Sequence, residues 1–542
     1  MNRLLKVVAL VGALFAGITT ADACTNFIVT RGASTDGSNM VTYAADSHGL
    51  YGSLYQYIPG KFTEWMDVTE WDTGRYIGKI KQAPVTFRTL GNSNEHSLFI
   101  TETTFGGRPE LEDPKGGIDY GSLIYITLQR AKTAREAIDI IVELANTYGY
   151  CSSGESFSLI DQQEAWIMEL IGKGPEDKGI VWVARRIPDG YVSAHANQAR
   201  ITTFPWNDPE NCIYAPDVAD VARKFGWFEG ENKDFSFADA YAPLDFGAMR
   251  GCEARVWAFF RTVADDMDQY EDYAMGHNPN NRMPLWVMPR EKVSPKLLMD
   301  CMRDHYEGTK MDMTTDIGAG GEGCPYRWRP MYFTVDGVEY CNERATATQQ
   351  TGFWLVGQAR PEKVGILWFG TDDAATSPLT PIYVNSLEVP EALKEGNGSM
   401  LEYSDTAMFW VTNRVAQFAY LRYNIVGKHV REEVDAWENA MIEAVNGMDI
   451  ALAQISNCKK ARKAATNFTV ATAQTLFDKW VDLDKYLMVK YIDGNVKGEE
   501  NGKFIDNGNG KDIPGKILQP GYTENWKRAV AADKGEILKV VK

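Results

Sequence analysis

Cys24 is the residue in this chain with the most distinctive chemical potential. It follows Ala21-Asp22-Ala23, a triplet that fits the A-x-A pattern at which exported precursors are cut. Before the triplet come Arg3, Lys6 and an apolar run from Val7 to Ile18. Cleavage after Ala23 would make Cys24 the first residue, with its α-amine beside its own thiol. An amine with an ordinary pKa of about 7.7–8.0 can take the thiol proton near neutral pH, so one residue would supply both nucleophile and base. Two plainer readings exist. One is a small strand residue that happens to follow a leader. The other is a lipoprotein cysteine, alkylated on sulfur and acylated on nitrogen, for which Ala21 and Asp22 are a poor match.

Other reactive groups give weaker signals. His48 and His195 suggest a Cys–His pair of the papain type, but the Gly-Ser before and the Trp after such a cysteine are missing around Cys24. Cys151-Ser152-Ser153-Gly154 offers a second thiol that reads as a loop between a helix and a strand. Gly318-Ala319-Gly320-Gly321-Glu322-Gly323 lacks the Lys and Ser/Thr of a phosphate loop. The eight cysteines contain no C-x-x-C pair and the six histidines no H-x-x-x-H spacing, which argues against a metal enzyme. The disulfide pairing stays open.

The elements that must position Cys24 begin at the residue itself. Phe27-Ile28-Val29, a polar turn from Ser34 to Ser38, and Met40-Val41-Thr42-Tyr43 read as a hairpin whose first strand opens with the cysteine. Further strands are expected at Val85–Leu90, Ser97–Thr101, Ser156–Ile160, Ala165–Leu170, Ile180–Arg185, Tyr191–His195, Tyr332–Val335 and Trp354–Leu367. Thr133-Ala134-Arg135-Glu136 has capping-box spacing ahead of Ala137, Ile140, Ile141 and Leu144. Ser294-Pro295 opens a second helix, expected to reach about His305. After about Val389 the pattern turns helical, near Thr406–Tyr423, Arg431–Ile455 and Lys459–Tyr491, with a mobile Gly/Asn/Lys-rich loop from Asp493 to Gly515. Strands come in clusters rather than in βα alternation, which predicts an α+β chain.

The composition narrows the class. Hydrophobic residues make up 44% of the chain and there are 15 Trp, enough for a large core. The formal charge is −17, one unit more negative without residues 1–23, which hold Arg3, Lys6 and Asp22. Such a surface repels nucleic acid and anionic lipid. The 12-residue apolar run is shorter than the roughly 20 residues that span a bilayer, so no stable membrane insertion is expected.

Several segments closely resemble the cysteine dipeptidases of peptidase family C69, part of the wider N-terminal nucleophile group that includes penicillin V acylase and bile salt hydrolase. They begin with Cys24-Thr25-Asn26-Phe27-Ile28-Val29, Ser34-Thr35-Asp36-Gly37-Ser38 and Thr42-Tyr43-Ala44-Ala45-Asp46-Ser47-His48. Glu102-Thr103-Thr104-Phe105-Gly106, His195-Ala196-Asn197-Gln198-Ala199-Arg200-Ile201, Cys252-Glu253-Ala254-Arg255-Val256-Trp257 and Met302-Arg303-Asp304-His305-Tyr306 continue the likeness. Pro325-Tyr326-Arg327-Trp328-Arg329-Pro330 and Thr348-Gln349-Gln350-Thr351-Gly352 follow, so most of the chain from Cys24 to about residue 425 is covered.

The resemblance implies a four-layer αββα sandwich over residues 24–390, after a signal peptide at 1–23, with a helical extension at 391–542 packed on it. It implies Cys24 as nucleophile, Asp46 as the acid that holds amine and thiol in register, Asn197 as an oxyanion donor and Arg255 as a cation that favours the thiolate. Thr104 stands where related acylases place a second oxyanion contributor. The acylase branch has Arg three residues before the acid; here that residue is Tyr43, which favours dipeptides over acyl amides. Recognition of a dipeptide's free amine would need a carboxylate, with Glu102 and Asp46 as candidates, and His195 is a candidate for the substrate pocket. The implied activity is dipeptide hydrolysis through a thioester in an exported protein, periplasmic or extracellular, with dipeptides as its partners and no cofactor. The alternatives are an N-acyl amide hydrolase and a non-enzymatic lipoprotein, lipidated on Cys24 and held at the outer membrane. Dipeptide preference and oligomeric state stay open.

Overall fold

The computed structural model describes residues 24–327 and 331–541. The expected leader at 1–23 and the Trp328-Arg329-Pro330 end of one motif lie outside them.

The chain is α+β, built on two antiparallel sheets. The first has seven strands, in the order Trp286–Val287, β7 (Val192–His195), β1 (Asn26–Val29), β2 (Asn39–Asp46), β8 (Thr351–Ala359), β9 (Ile366–Thr371) and β10 (Thr380–Tyr383). The second has eight, running Cys212–Tyr214, β6 (Ile180–Arg186), β5 (Ala165–Gly172), β4 (Gly154–Ile160), β3 (Phe99–Gly106), then the short strands Ser93–Asn94, Thr89–Leu90 and Gln56–Tyr57. Every residue of β1, β2, β4 and β5 is buried, because both faces of these strands are covered.

The period of two sorts the side chains into separate cores. Phe27, Val29, Met40 and Ala44 pack with Trp257, Phe259 and Phe260 of helix α3 (Ala254–Val263). The rings of Phe27 and Phe259 stack at 4.2 Å. The alternate residues Cys24, Ile28, Val41, Tyr43 and Ala45 join the cluster that holds Ile100, Phe157 and Leu159 of the other sheet. Helices α1 (Tyr120–Leu128) and α2 (Ala134–Tyr148) cover that second sheet, with Ile138, Ile141 and Leu144 of α2 turned inward. Thr133 caps α2 by accepting from the Glu136 N–H, while the Glu136 carboxylate returns to the N–H of Lys132, one residue before the position a capping box would use.

Between the sheets runs a polar layer. Asn26 donates from Nδ2 to the carbonyl of Glu102 (2.6 Å), and its Oδ1 accepts from Thr101. His195, paired with Asn26 across the β1–β7 ladder, bonds Thr103 through Nδ1 and Ser158 through Nε2, both at 2.7 Å. Buried polar groups are tolerated when each has a partner, and here they also fix how one sheet sits on the other.

Some expected bounds shift. The run Trp354–Leu367 is two strands, β8 and β9, joined by a turn in which Glu362 takes a positive φ of 58°. Only Thr89–Leu90 of Val85–Leu90 is a strand. Helix α4 (Pro295–Cys301) starts at Ser294 as expected but stops before His305, because Arg303 turns inward to the carbonyls of Ala374 and Ser377 and to Glu438. The 493–515 segment, expected as a loop, carries short strand pairs, among them Glu499–Glu500 with Lys503–Phe504. Helices α1 and α3 were not apparent in the sequence, because both are apolar on several sides.

Helices α5 (Met408–Leu421), α6 (Lys428–Ala453) and α7 (Cys458–Tyr491) follow β10. Val415, Val430, Val434, Leu476, Trp480 and Leu487 are buried in the same core cluster as the sheets. Each buried aliphatic side chain there contributes about 1.5–3 kcal/mol relative to exposure. Among the described residues no helix is long and apolar enough to cross a membrane.

Candidate active site

The hairpin register brings Cys24 to the acid at the end of β2. Ile28 lies opposite Val41, and Thr25 opposite Ala44, so the same register one step on sets Cys24 level with Ala45 and next to Asp46. Cys24 is 6% exposed. Its Sγ lies 3.5 Å from Glu102 Oε1 and 3.8 Å from the Tyr43 hydroxyl, and Tyr43 itself donates to the same Glu102 oxygen at 2.6 Å. The backbone N–H of Asp46 also faces the sulfur. Burial first, then the negative fields of Glu102 and Asp46, push the thiol's pKa well above its ordinary value, so the resting group is S–H.

Asp46 is fully buried. Its carboxylate accepts from Arg344 (2.7 Å) and from the Thr351 hydroxyl (2.6 Å), and its carbonyl accepts from Gln350. Burial raises its pKa in spite of the Arg344 guanidinium. Neither Arg344 nor Thr351 was singled out from sequence as a functional residue; Arg344 lies about 300 residues from Asp46 and only the fold joins them.

Arg255 ties the site together. Its guanidinium donates to the carbonyl of Cys24 (2.6 Å), the Thr25 hydroxyl (2.9 Å), the carbonyl of Ala196 (3.2 Å), Asn197 Oδ1 (2.9 Å) and the carbonyl of Gly251 (2.9 Å). Beside the expected electrostatic role, the contacts give Arg255 a positioning one. These contacts hold the backbone of Cys24 and the amide of Asn197 in a fixed relation. Asn197 follows β7 with a positive φ of 60°, a conformation asparagine tolerates better than most residues. Its Nδ2 donates to the carbonyl of Thr104 (2.7 Å), while the Thr104 hydroxyl donates to Glu155 (2.7 Å). The hydroxyl of Thr104 is therefore committed to an acid.

The fold thus brings together Cys24, Asp46, Glu102, Thr104, Asn197 and Arg255. It does not bring His195 into the cleft: both ring nitrogens are bonded between the sheets, and burial together with Arg200 lowers its pKa to about 3. Sequence reading overlooked Glu155, a second buried acid beside Glu102. It lies one residue before the strand expected at Ser156–Ile160, and all of β4, Glu155 included, is buried.

Beside this point lies a cleft walled by Tyr43, Tyr55, Tyr57, Trp71, Tyr120 and Phe353 among others. Tyr43 and Tyr120 belong both to its wall and to the surroundings of Cys24 and Glu102. Elsewhere, Asp300, Asp435 and Glu438 gather three carboxylates that could hold a cation, but Lys296, Arg303 and Arg431 already pair with them. All eight cysteines are unpaired.

The profile of peptidase family C69 matches residues 53–436, which takes in Glu102, Asn197, Arg255 and the start of α6 but begins after Cys24 and Asp46. A probable dipeptidase of Salmonella dublin is 25% identical over 54% of this chain and 68% of its own length. A probable dipeptidase A of Streptococcus pyogenes serotype M3 is 23% identical over 84% of this chain and 96% of its own, and a probable dipeptidase B of serotype M1 is 22% identical over 71% and 72%. With the family profile extending over more than half of its length, the chain belongs to peptidase family C69.

Proposed function

We propose that the protein is an exported dipeptidase whose nucleophile is Cys24 as the first residue of the mature chain. The two sheets with α3 on one side and α1 and α2 on the other constitute, in this reading, the four-layer αββα sandwich of N-terminal nucleophile hydrolases. The observation that carries the proposal is the buried Cys24, whose thiol touches Tyr43 in the wall of an aromatic cleft and whose carbonyl is joined through Arg255 to Asn197. The dipeptidase names of the relatives support the choice of substrate.

The reaction runs in two halves. The α-amine of Cys24 takes the thiol proton as Sγ bonds to the scissile carbonyl carbon. The resulting oxyanion is stabilised by an Asn197 Nδ2 proton, an interaction worth roughly 3–4 kcal/mol of barrier where such donors are aligned. The C–N bond breaks as the amine returns its proton to the leaving nitrogen, which gives a thioester and a free amino acid. Water then loses a proton to the same amine and attacks the thioester, and the sulfur departs as the thiol. Because burial and then the surrounding acids raise the thiol's pKa, a base that acts during attack suits the site better than a standing thiolate.

Two rivals fare worse. A lipid on Sγ would have to displace Tyr43 and Glu102 from the sulfur of a residue that is 6% exposed. An N-acyl chain would set apolar carbons against Glu102 and Glu155. The test is intact mass and N-terminal sequence of the exported protein, with dipeptide hydrolysis measured on wild type, Cys24→Ser and Cys24→Ala. An unmodified Cys24 terminus and inactive variants are expected; activity that survives in Cys24→Ala refutes the proposal.

A further inference from the structure

Glu102 and Glu155 are buried acids whose presence the hydrolytic steps do not explain. Glu102 Oε1 accepts from Tyr43 and from the Cys24 thiol, and Glu155 Oε1 accepts from Thr104. The second oxygen of each, Glu102 Oε2 and Glu155 Oε2, is buried without a donor from the rest of the described chain. The two carboxyl groups adjoin and share a proton: burial raises Glu102 to about 7 and, with the field of Glu102, raises Glu155 well above the carboxylate range. A third acid, Asp72, acts on both and accepts from the Tyr120 hydroxyl at 2.8 Å. Two buried carboxyls with unfilled acceptors are costly unless a cation completes them.

The distance to the sulfur says which cation. A carbonyl carbon poised for attack lies about 3–3.5 Å from Sγ. In a peptide with a free amine, the α-nitrogen beside that carbonyl is two bonds away, about 2.5 Å from the carbon. An ammonium meets a carboxylate oxygen at about 2.7–2.9 Å. A recognising carboxylate must therefore lie within several ångströms of Sγ, and Glu102 Oε1 is 3.5 Å from it. Asp46 does not serve, since Arg344 and Thr351 occupy its oxygens.

Building on the dipeptidase reading, we propose that Glu102 and Glu155 form an anionic subsite for the α-ammonium of the substrate's first residue, so that the bond cleaved is the one after that residue. Binding transfers the role of the shared proton to the ammonium, and the aromatic walls at Tyr55, Tyr57, Trp71 and Phe353 receive an apolar first side chain. The substrate class is peptides with an unblocked N-terminus, and acylation of that amine abolishes recognition.

The experiment pairs the best-cleaved member of a panel of apolar dipeptides with its N-acetyl derivative, on wild type, E102Q and E155Q. It adds calorimetric binding of phenylalaninamide and N-acetylphenylalaninamide to Cys24→Ala, with and without E155Q. Expected results are cleavage of the free dipeptide only, KM raised tenfold or more in E102Q and E155Q with a smaller change in kcat, and binding of the free amide alone, weakened at least tenfold by E155Q. Comparable cleavage or binding of the acetylated compounds, no binding of phenylalaninamide, or an unchanged KM in both variants overturns the subsite even if Cys24 proves essential. Hydrolysis that survives Cys24→Ala refutes the nucleophile instead, and the calorimetry still decides the subsite.

Discussion

Replacing Arg255 by lysine separates two jobs that an arginine near a catalytic cysteine can do. In the structure its guanidinium makes five hydrogen bonds to three segments of chain, at Cys24–Thr25, Ala196–Asn197 and Gly251. A lysine ammonium has three donors at one point and cannot span these acceptors, so at least two are left unpaired. Each buried acceptor stranded in this way costs about 1–3 kcal/mol, which puts Arg255→Lys roughly 2–6 kcal/mol below wild type in stability. The larger consequence falls on catalysis. With Asn197 no longer held against the nucleophile, kcat should fall by about 10²-fold or more, because oxyanion donors are worth that much and small misplacements cost as much. KM for dipeptides should change far less, since Arg255 binds backbone and Asn197 rather than the cleft walls. The thiol itself should titrate almost as before. Alkylation of Cys24 by iodoacetamide, followed across pH by mass spectrometry of its peptide, should keep its midpoint within about half a pH unit. A kcat within threefold of wild type would sink the positioning argument. A midpoint raised by a full unit would show instead that the charge of Arg255 acts directly on the sulfur.

Three further outcomes are expected. Asp46→Asn removes the counter-charge of the buried Arg344 and should cost about 3–5 kcal/mol in denaturant titration, with much of the loss recovered when Arg344→Met is added; additive losses would mean that the pair is not coupled. Burial raises Glu102 to about 7, so between the ordinary carboxylate range and pH 7 the folded state holds more protons than the unfolded one. The stability this gives is fully present below the ordinary carboxylate pKa and is lost as pH rises through about 7, on the order of 3 kcal/mol for Glu102. Asp372, raised to about 8 by burial and then by Asp373, adds a loss of the same sign. Denaturant midpoints should fall from pH 5 to pH 8, and E102Q should flatten the slope; an equally steep slope in E102Q would contradict this. Glu438→Gln breaks a buried pair with Arg303 that joins α6 to the chain after α4, and should lower stability by about 3–5 kcal/mol while kcat and KM at low temperature stay at wild-type values.

Much of the setting of Cys24 was legible because it is local. The hairpin from Cys24 to Asp46 could be read from a Gly-containing turn between two apolar runs, and the structure pairs those runs in the register that sets Cys24 beside Asp46. The cap of α2 at Thr133 and that of α4 at Ser294 were likewise written in neighbouring residues. What sequence alone left hidden depends on contacts between distant segments. Arg344 reaches Asp46 only because β8 lies beside β2, and nothing around Arg344 signals it. Arg255 was read from its residue type as a charge, and its reach to the carbonyls of Cys24 and Ala196 came only with the fold. His195 looked available as a polar residue in a motif and proved to be bonded on both nitrogens.

The polar layer between the sheets explains why a thiol can sit so close to acids without drifting from them. Asn26 is two residues after Cys24, on the same face of β1, and binds the carbonyl of Glu102; His195, its neighbour on β7, binds Thr103 and Ser158 on the opposing sheet. Apolar contacts alone would let one sheet slide on the other by a fraction of an ångström at little cost, whereas each of these buried bonds is strongly directional. The sulfur and the Glu102 carboxyl are thereby fixed by the strands that carry them and not by their mutual attraction, which for an acid and a raised thiol is weak. A site held in this manner can afford a nucleophile that is neutral at rest. Within the proposed mechanism, Glu102 is shared with substrate, Asp46 already accepts from Arg344 and Thr351, and His195 is bonded twice, so the proton goes to the amine of Cys24 itself.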